Sequence, residues 1–156
     1  MNERIALING FRTPFLKAGT DFKTIDADRL GVYPLKESIL RSGVSFEDID
    51  DVVVGCCGQP VHAANVARVI SLRAGIPKSV PAVTVHRNCA SGMEAISTGA
   101  QRLLLGEADV VATVGVESMS NYPLIFNKKM RSFFEKLSRS KTFLQRLSII
   151  SSFRFK

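Results

Sequence analysis

Two rhythms of hydrophobic and polar positions alternate along residues 1–118. The β-branched run Val52-Val53-Val54, inside Asp51–Cys56, predicts a buried strand. Ala82–Val85 and Val110–Val114 predict two more, and Arg4–Asn9, closed by Gly10, predicts a first. Longer stretches with helical spacing lie between them. One runs over about 26–41 and is stopped by Gly43; Pro34 inside it lacks a backbone donor and is expected to kink or split the helix. A second covers Ala63–Arg73, ended by Gly75 and Pro77, and a third covers Gly92–Leu105, with Gly106 beyond. Ser45-Phe-Glu-Asp48 has the spacing of a capping box around a short turn. This strand–helix alternation predicts an α/β layer with helices packed on a sheet, and the chain contains no internal repeat.

Beyond residue 126 the pattern changes. Basic residues interleave with Phe133, Phe134, Phe143, Phe153 and Phe155, while Met130, Phe133, Phe134 and Leu137 keep helical spacing. Two regions are therefore expected, 1–126 as an α/β domain and 127–156 as a basic, Phe-containing segment. Charge follows the same division. The net charge is +7, yet residues 127–156 hold nine Lys/Arg against one acid, Glu135, and residues 1–126 hold twelve basic against thirteen acidic residues. Basicity confined to one end argues against a nucleic-acid-binding protein as a whole. The segment itself reads as a solvated amphipathic helix, with an anionic membrane surface or nucleic acid as lesser alternatives.

The remaining composition narrows the class. With 46% hydrophobic and 22% charged residues the chain is globular in character. No apolar run approaches the roughly 18 residues of a membrane-spanning helix, and Met1–Ile8 does not have the form of a leader. Three cysteines, Cys56, Cys57 and Cys89, do not suggest a disulfide framework, so a reducing, cytoplasmic setting is expected.

The segment richest in chemistry is Val83-Thr-Val-His-Arg-Asn-Cys89-Ala-Ser-Gly-Met-Glu94. A strand ends, polar residues follow, then Cys89, then small residues open a helix. Ser91 and Glu94 have capping-box spacing. The helix is expected to bury Met93, Ile96, Ala100, Leu103 and Leu104, which places Cys89 at its mouth toward the buried side. Unpaired amides at a helix N-terminus favour a thiolate, the reactive form of cysteine, and can face a developing oxyanion. The same position also suits a cysteine that is simply a small buried hydrophobe.

Other residues carry blander expectations. His86, three residues before Cys89, is a candidate base, but a continuing strand would point it away, so a neutral or structural role is expected. Cys56 and Cys57 are read as packing residues rather than a metal pair, since adjacent cysteines do not easily reach one ion. His62 is read as a loop residue without a role, and Gly115 as the pivot of a tight turn.

Several motifs occur in one order: Arg12-Thr-Pro-Phe15, Asn65-Val-Ala-Arg68, Ala74-Gly-Ile-Pro77, Val80-Pro-Ala-Val-Thr-Val85, Asn88-Cys-Ala-Ser-Gly-Met93 and Gly115-Val-Glu-Ser-Met-Ser120. Together they resemble the N-terminal domain of the thiolase family, the acyl-CoA C-acyltransferases, over roughly residues 4–126. The resemblance implies a layered α/β fold, and 127–156 as the truncated start of the inserted loop region that helps bind coenzyme A. It implies Cys89 as the acyl-thioester nucleophile, acyl-CoA and coenzyme A as substrates, no permanent cofactor and no metal, and dimers or tetramers. The reaction would be 3-ketoacyl-CoA thiolysis or Claisen condensation. The family's C-terminal domain supplies a His, a second Cys and an Asn in motifs of Gly-His-Pro, Cys-x-Gly-Gly and Asn-Glu-Ala type. None of these strings occurs here, so the C-terminal domain is expected to be absent. A non-catalytic fragment or interaction module is the alternative.

Overall fold

The computed structural model describes residues 4–152, which divide along the chain into two compact units, the first ending at Pro123 and the second beginning at Leu124. The expectations for Phe153 and Phe155 lie outside the described residues.

The first unit is built on three parallel strands, β1 (Asp51–Gly55), β2 (Ala82–Val85) and β3 (Val111–Gly115), in the order β2-β1-β3. Val53 stands opposite Val83 on one side and Thr113 on the other. With both edges paired and both faces covered, Val52, Val53 and Val54 lose all solvent exposure, which is why a continuous apolar run rather than an alternating one encodes β1. Val52 and Val54 join the core formed with Leu35, Ile39, Val66 and Ile70 from the helices α2 (Val32–Ser42) and α3 (Val66–Ala74). The opposite face, carrying Gly55, Val111, Thr113 and Gly115, receives the helix α4 (Ser91–Leu104).

Three expectations change. Arg4–Asn9 is exposed and forms no strand; Leu7 is 85% and Ile8 61% exposed. Consecutive apolar residues suit a strand covered on both faces, and Arg4–Asn9 has neither face covered. The helix expected over 26–41 is two, α1 (Ala27–Leu30) and α2, and they part at Gly31 rather than at Pro34. Gly31 lies where a Cβ would come within 2.6 Å of Ile70 Cδ1. Pro34 is the third residue of α2, where a backbone donor has no acceptor within the helix in any case. Finally, α3 starts at Val66 rather than Ala63, because the Asn65 side chain caps it by accepting the Arg68 N–H at 3.2 Å. The capping box at Ser45 forms as expected: the Ser45 hydroxyl accepts the Glu47 N–H, and Asp48 accepts the Ser45 N–H at 3.3 Å.

The second unit contains α5 (Lys128–Arg139) and α6 (Phe143–Ser152), which pack on each other. Asn127 caps α5 by accepting the Met130 N–H at 2.9 Å. Phe134 makes ring contacts with Phe126 and Phe133, at centroid distances of 5.2 and 5.4 Å. Among the described residues no helix is long and apolar enough to cross a membrane.

Candidate functional site

Cys89 sits on the turn between β2 and α4, one residue before the helix N-cap Ala90, and is exposed. The turn is held from within. Asn88 adopts φ 47°, the left-handed conformation that Asn tolerates better than most residues. Its carbonyl accepts the Ser91 N–H at 3.0 Å and the Ser91 hydroxyl at 2.7 Å, and Cys57 Sγ lies 2.7 Å from the same oxygen. The Ser91 hydroxyl in turn accepts the Arg87 N–H at 2.9 Å, and the Arg87 carbonyl accepts the Ala90 N–H at 3.0 Å. Arg87 also pairs through its guanidinium with Glu94 on the first turn of α4, an interaction that raises the Arg87 pKa. Every residue around Cys89 is thus tied down while its own side chain faces solvent.

A second layer of contacts fixes this turn to the sheet. The Glu117 carboxylate accepts the Cys57 N–H at 2.9 Å and the Gly58 N–H at 3.1 Å, joining the loop after β1 to the loop after β3. The start of α4 lies almost against the backbone of two strands. A Cβ on Gly55 would fall 2.0 Å from the Ser91 carbonyl oxygen, and one on Gly115 would fall 2.9 Å from the Gly92 Cα. Gly115 therefore serves close approach rather than a tight turn: it ends β3 and is absent from the positive-φ glycines. Beside this junction an open groove of about 1150 Å³ includes Cys89, Ser91, Gly115 and Glu117 in its lining.

The face of α4 that meets the sheet is the reverse of the one expected. Ser91, Ala95 and Gly99 are buried, whereas Met93 (67%), Ile96 (43%) and Leu104 (50%) are exposed, and Ala100 and Leu103 are intermediate. Spacing alone marks a stripe of large apolar residues, but glycine-lined strands admit only a stripe of small ones. A Cβ on Gly99 would already lie 2.8 Å from Thr113 Cγ2. Cys89 accordingly lies on the exposed side. The Ser91–Glu94 capping box is also not formed, since the Ser91 hydroxyl is used within the turn.

The remaining candidates fall outside the turn or play supporting parts. His86 is exposed, and its Nδ1 accepts the Asn88 N–H at 3.4 Å. Cys56 is buried, and burial, with the Glu117 carboxylate and Cys57 adding to it, pushes its thiol up to about 12. His62 Nε2 lies 3.3 Å from Asp28 Oδ2 and 4.0 Å from Asp26 Oδ2, a grouping that could face a cation. Arg73 Nη1 already pairs with Asp28 there, so a guanidinium holds the place of an ion. Spacing did not mark Cys57, Asn88 or Glu117 as members of the site. Only Ser91 carried a signal, its small polar side chain beside the turn, and its capping-box spacing concealed the role.

Residues 5–152 match the thiolase N-terminal domain family. The chain is 38% identical over 151 residues to the beta subunit of the mitochondrial trifunctional enzyme of Homo sapiens, covering 97% of this chain and 32% of that protein. It is 38% identical over 125 residues to the acetyl-CoA acetyltransferase of Syntrophomonas wolfei, covering 80% of this chain and 32% of that protein. Among solved structures it resembles the acetyl-CoA acetyltransferase of Bacillus anthracis, with TM-score 0.74 and 37% identity over 77% of this chain and 30% of the other. It also resembles a thiolase of Ascaris suum in complex with coenzyme A, with TM-score 0.75 and 35% identity over 78% and 32% of the two chains. The chain spans about a third of the length of these relatives.

Proposed function

This chain belongs to the thiolase family, and we propose that it forms the N-terminal part of an acyl-CoA acyltransferase in which Cys89 carries the acyl group. The observation that supports this most is the placement of Cys89: exposed, on a fully braced turn, immediately before the N-terminus of a 14-residue helix. The Cys89 thiolate attacks the thioester carbonyl of an acyl-CoA donor, or the 3-keto carbonyl of a 3-ketoacyl-CoA, forming a carbon–sulfur bond and an oxyanion. The oxyanion collapses by breaking the bond to the leaving group. That group is the coenzyme A thiolate when acetyl-CoA is the donor, or the carbanion of an acyl-CoA when a 3-ketoacyl-CoA is cleaved. The acyl group then passes to coenzyme A in thiolysis, or to a second acyl-CoA in condensation. The leaving carbanion must gain a proton, and the attacking one must lose it, from an acid/base group beside Cys89. The motifs that carry such groups in the family do not occur in these 156 residues.

The same observation favours a second reading, a chain that accepts an acyl group but does not turn over. The exposed apolar face of α4, with Met93 and Ile96, supports cover by further protein, whether more of the same polypeptide or another copy in a dimer or tetramer. We further propose that the helical unit beginning at Leu124 is the start of the family's loop region, and that the free cysteines reflect a reducing, cytoplasmic setting. Mixing the purified chain with acetyl-CoA and following free coenzyme A separates the readings. Sustained release marks an active enzyme; a burst of about one equivalent that then stops marks an acyl acceptor alone. No release contradicts both.

A further inference from the structure

One dipeptide ahead of the sheet carries chemistry of its own. The chain has six asparagines, and Asn9 alone precedes a glycine. Asn9 and Gly10 are both exposed and belong to no helix or strand. Gly10 has no Cβ, and no atom lies within 4 Å of where one would stand. The Asn9 carboxamide is folded back on the chain, its Oδ1 accepting the Gly10 N–H at 2.7 Å. Asn9 Cγ is one C=O bond, about 1.2 Å, from that oxygen, so the Gly10 nitrogen lies close to an electrophilic carbon. Glycine lets the backbone turn until the two meet, where a β-branched successor would crowd the approach. Asn65 and Asn127 lack this freedom. Asn65 precedes Val66, and its Oδ1 is held by the Arg68 N–H at 3.2 Å and the Thr84 hydroxyl at 2.9 Å. Asn127 Oδ1 is held by the Met130 N–H at 2.9 Å.

We propose that Asn9–Gly10 is a site of spontaneous covalent modification, at which the neutral Asn9 amide becomes a carboxylate without an enzyme. The Gly10 nitrogen gives its proton to hydroxide and forms a bond to Asn9 Cγ. The bond from Cγ to the side-chain nitrogen then breaks, and that nitrogen takes a proton from water and leaves as ammonia. The product is a cyclic imide joining Asn9 to Gly10. Water opens this ring at either carbonyl. Opening at the former side-chain carbonyl gives aspartate; opening at the backbone carbonyl gives isoaspartate, with the chain running through the side chain. Overall one water is consumed, one ammonia is released, and nothing is oxidised or reduced. Both products carry a negative charge where Asn9 had none. Asn9, Gly10 and Cys89 line the same groove, so the new carboxylate changes the charge of that groove. This inference is independent of the chemistry assigned to Cys89.

The test is to hold the full 156-residue chain in warm, mildly alkaline buffer, digest it with trypsin and follow the peptide Ile5–Arg12 by mass spectrometry. The expected result is exchange of NH2 for OH at Asn9, faster at higher pH, in two forms that separate by chromatography. Asn65 and Asn127 should stay intact over the same time. Gly10→Ala should slow the conversion by about tenfold or more, in a chain that still folds because the added methyl meets no atom within 4 Å. The folded chain should react as fast as the free peptide Ile5–Arg12, since both residues are exposed. Conversion at Asn9 no faster than at Asn127 would overturn the proposal. So would an unchanged rate in Gly10→Ala, or a folded chain that reacts far more slowly than the free peptide.

Discussion

At the scale of single residues, the site depends on groups that brace Cys89 more than on Cys89 itself. The Ser91 hydroxyl links two of them, accepting from Arg87 and donating to Asn88 while 4% exposed. Ser91→Ala leaves the Arg87 N–H without that acceptor and should cost about 1–3 kcal/mol in denaturant unfolding. It should also change the rate at which iodoacetamide modifies Cys89. The three thiols should separate by reactivity. Cys89 is exposed and should alkylate first, whereas Cys56 is 1% exposed with its thiol pushed up to about 12 and should react only on unfolding. The raised thiol also links stability to alkali. Above its ordinary value of 9.0 the unfolded chain releases the Cys56 proton while the folded chain keeps it, so stability falls as pH rises from there toward about 12. Urea unfolding at several alkaline pH values should show this fall, and Cys56→Val should remove the part of the slope that Cys56 contributes.

At the scale of elements, close packing of α4 on the strand ends places the site. Gly55→Ala would press a methyl group within 2.0 Å of the Ser91 carbonyl oxygen. It should destabilise the chain by about 3 kcal/mol or more, the upper end of ordinary overpacking. Gly10→Ala, with nothing within 4 Å, should leave the midpoint of urea unfolding unchanged. The strands and helices of the first unit were largely legible from the chain because β-branched runs and helical spacing report local burial directly. Ala82–Val85 has the bounds expected, and β1, β3 and α4 shift by a residue. What was not legible depends on partners distant in sequence. The buried face of α4 follows from Gly55 and Gly115 on other elements, the split at Gly31 from Ile70, and the brace on Asn88 from Cys57. Periodicity ranks residues by size and polarity, so it favoured Met93 and Ile96 over Ala95 and Gly99. Arg4–Asn9 shows the converse limit: a strand-like pattern does not by itself make a strand, and here the segment is exposed and unpaired with the sheet.

At the scale of the whole molecule, the two units carry different physics. The first presents a cysteine turn on a parallel sheet. The second concentrates basic charge and exposed apolar side chains on a helical pair. Together with a span of about a third of its relatives, this describes a part that carries the proposed nucleophile Cys89 without the family's acid/base motifs. The most direct test is to incubate the chain with acetyl-CoA, digest it and locate the acetyl group by tandem mass spectrometry. The account predicts a thioester on Cys89 that is absent from Cys89→Ala. Acetylation confined to another residue, or an equal acetyl load on Cys89→Ala, would contradict it.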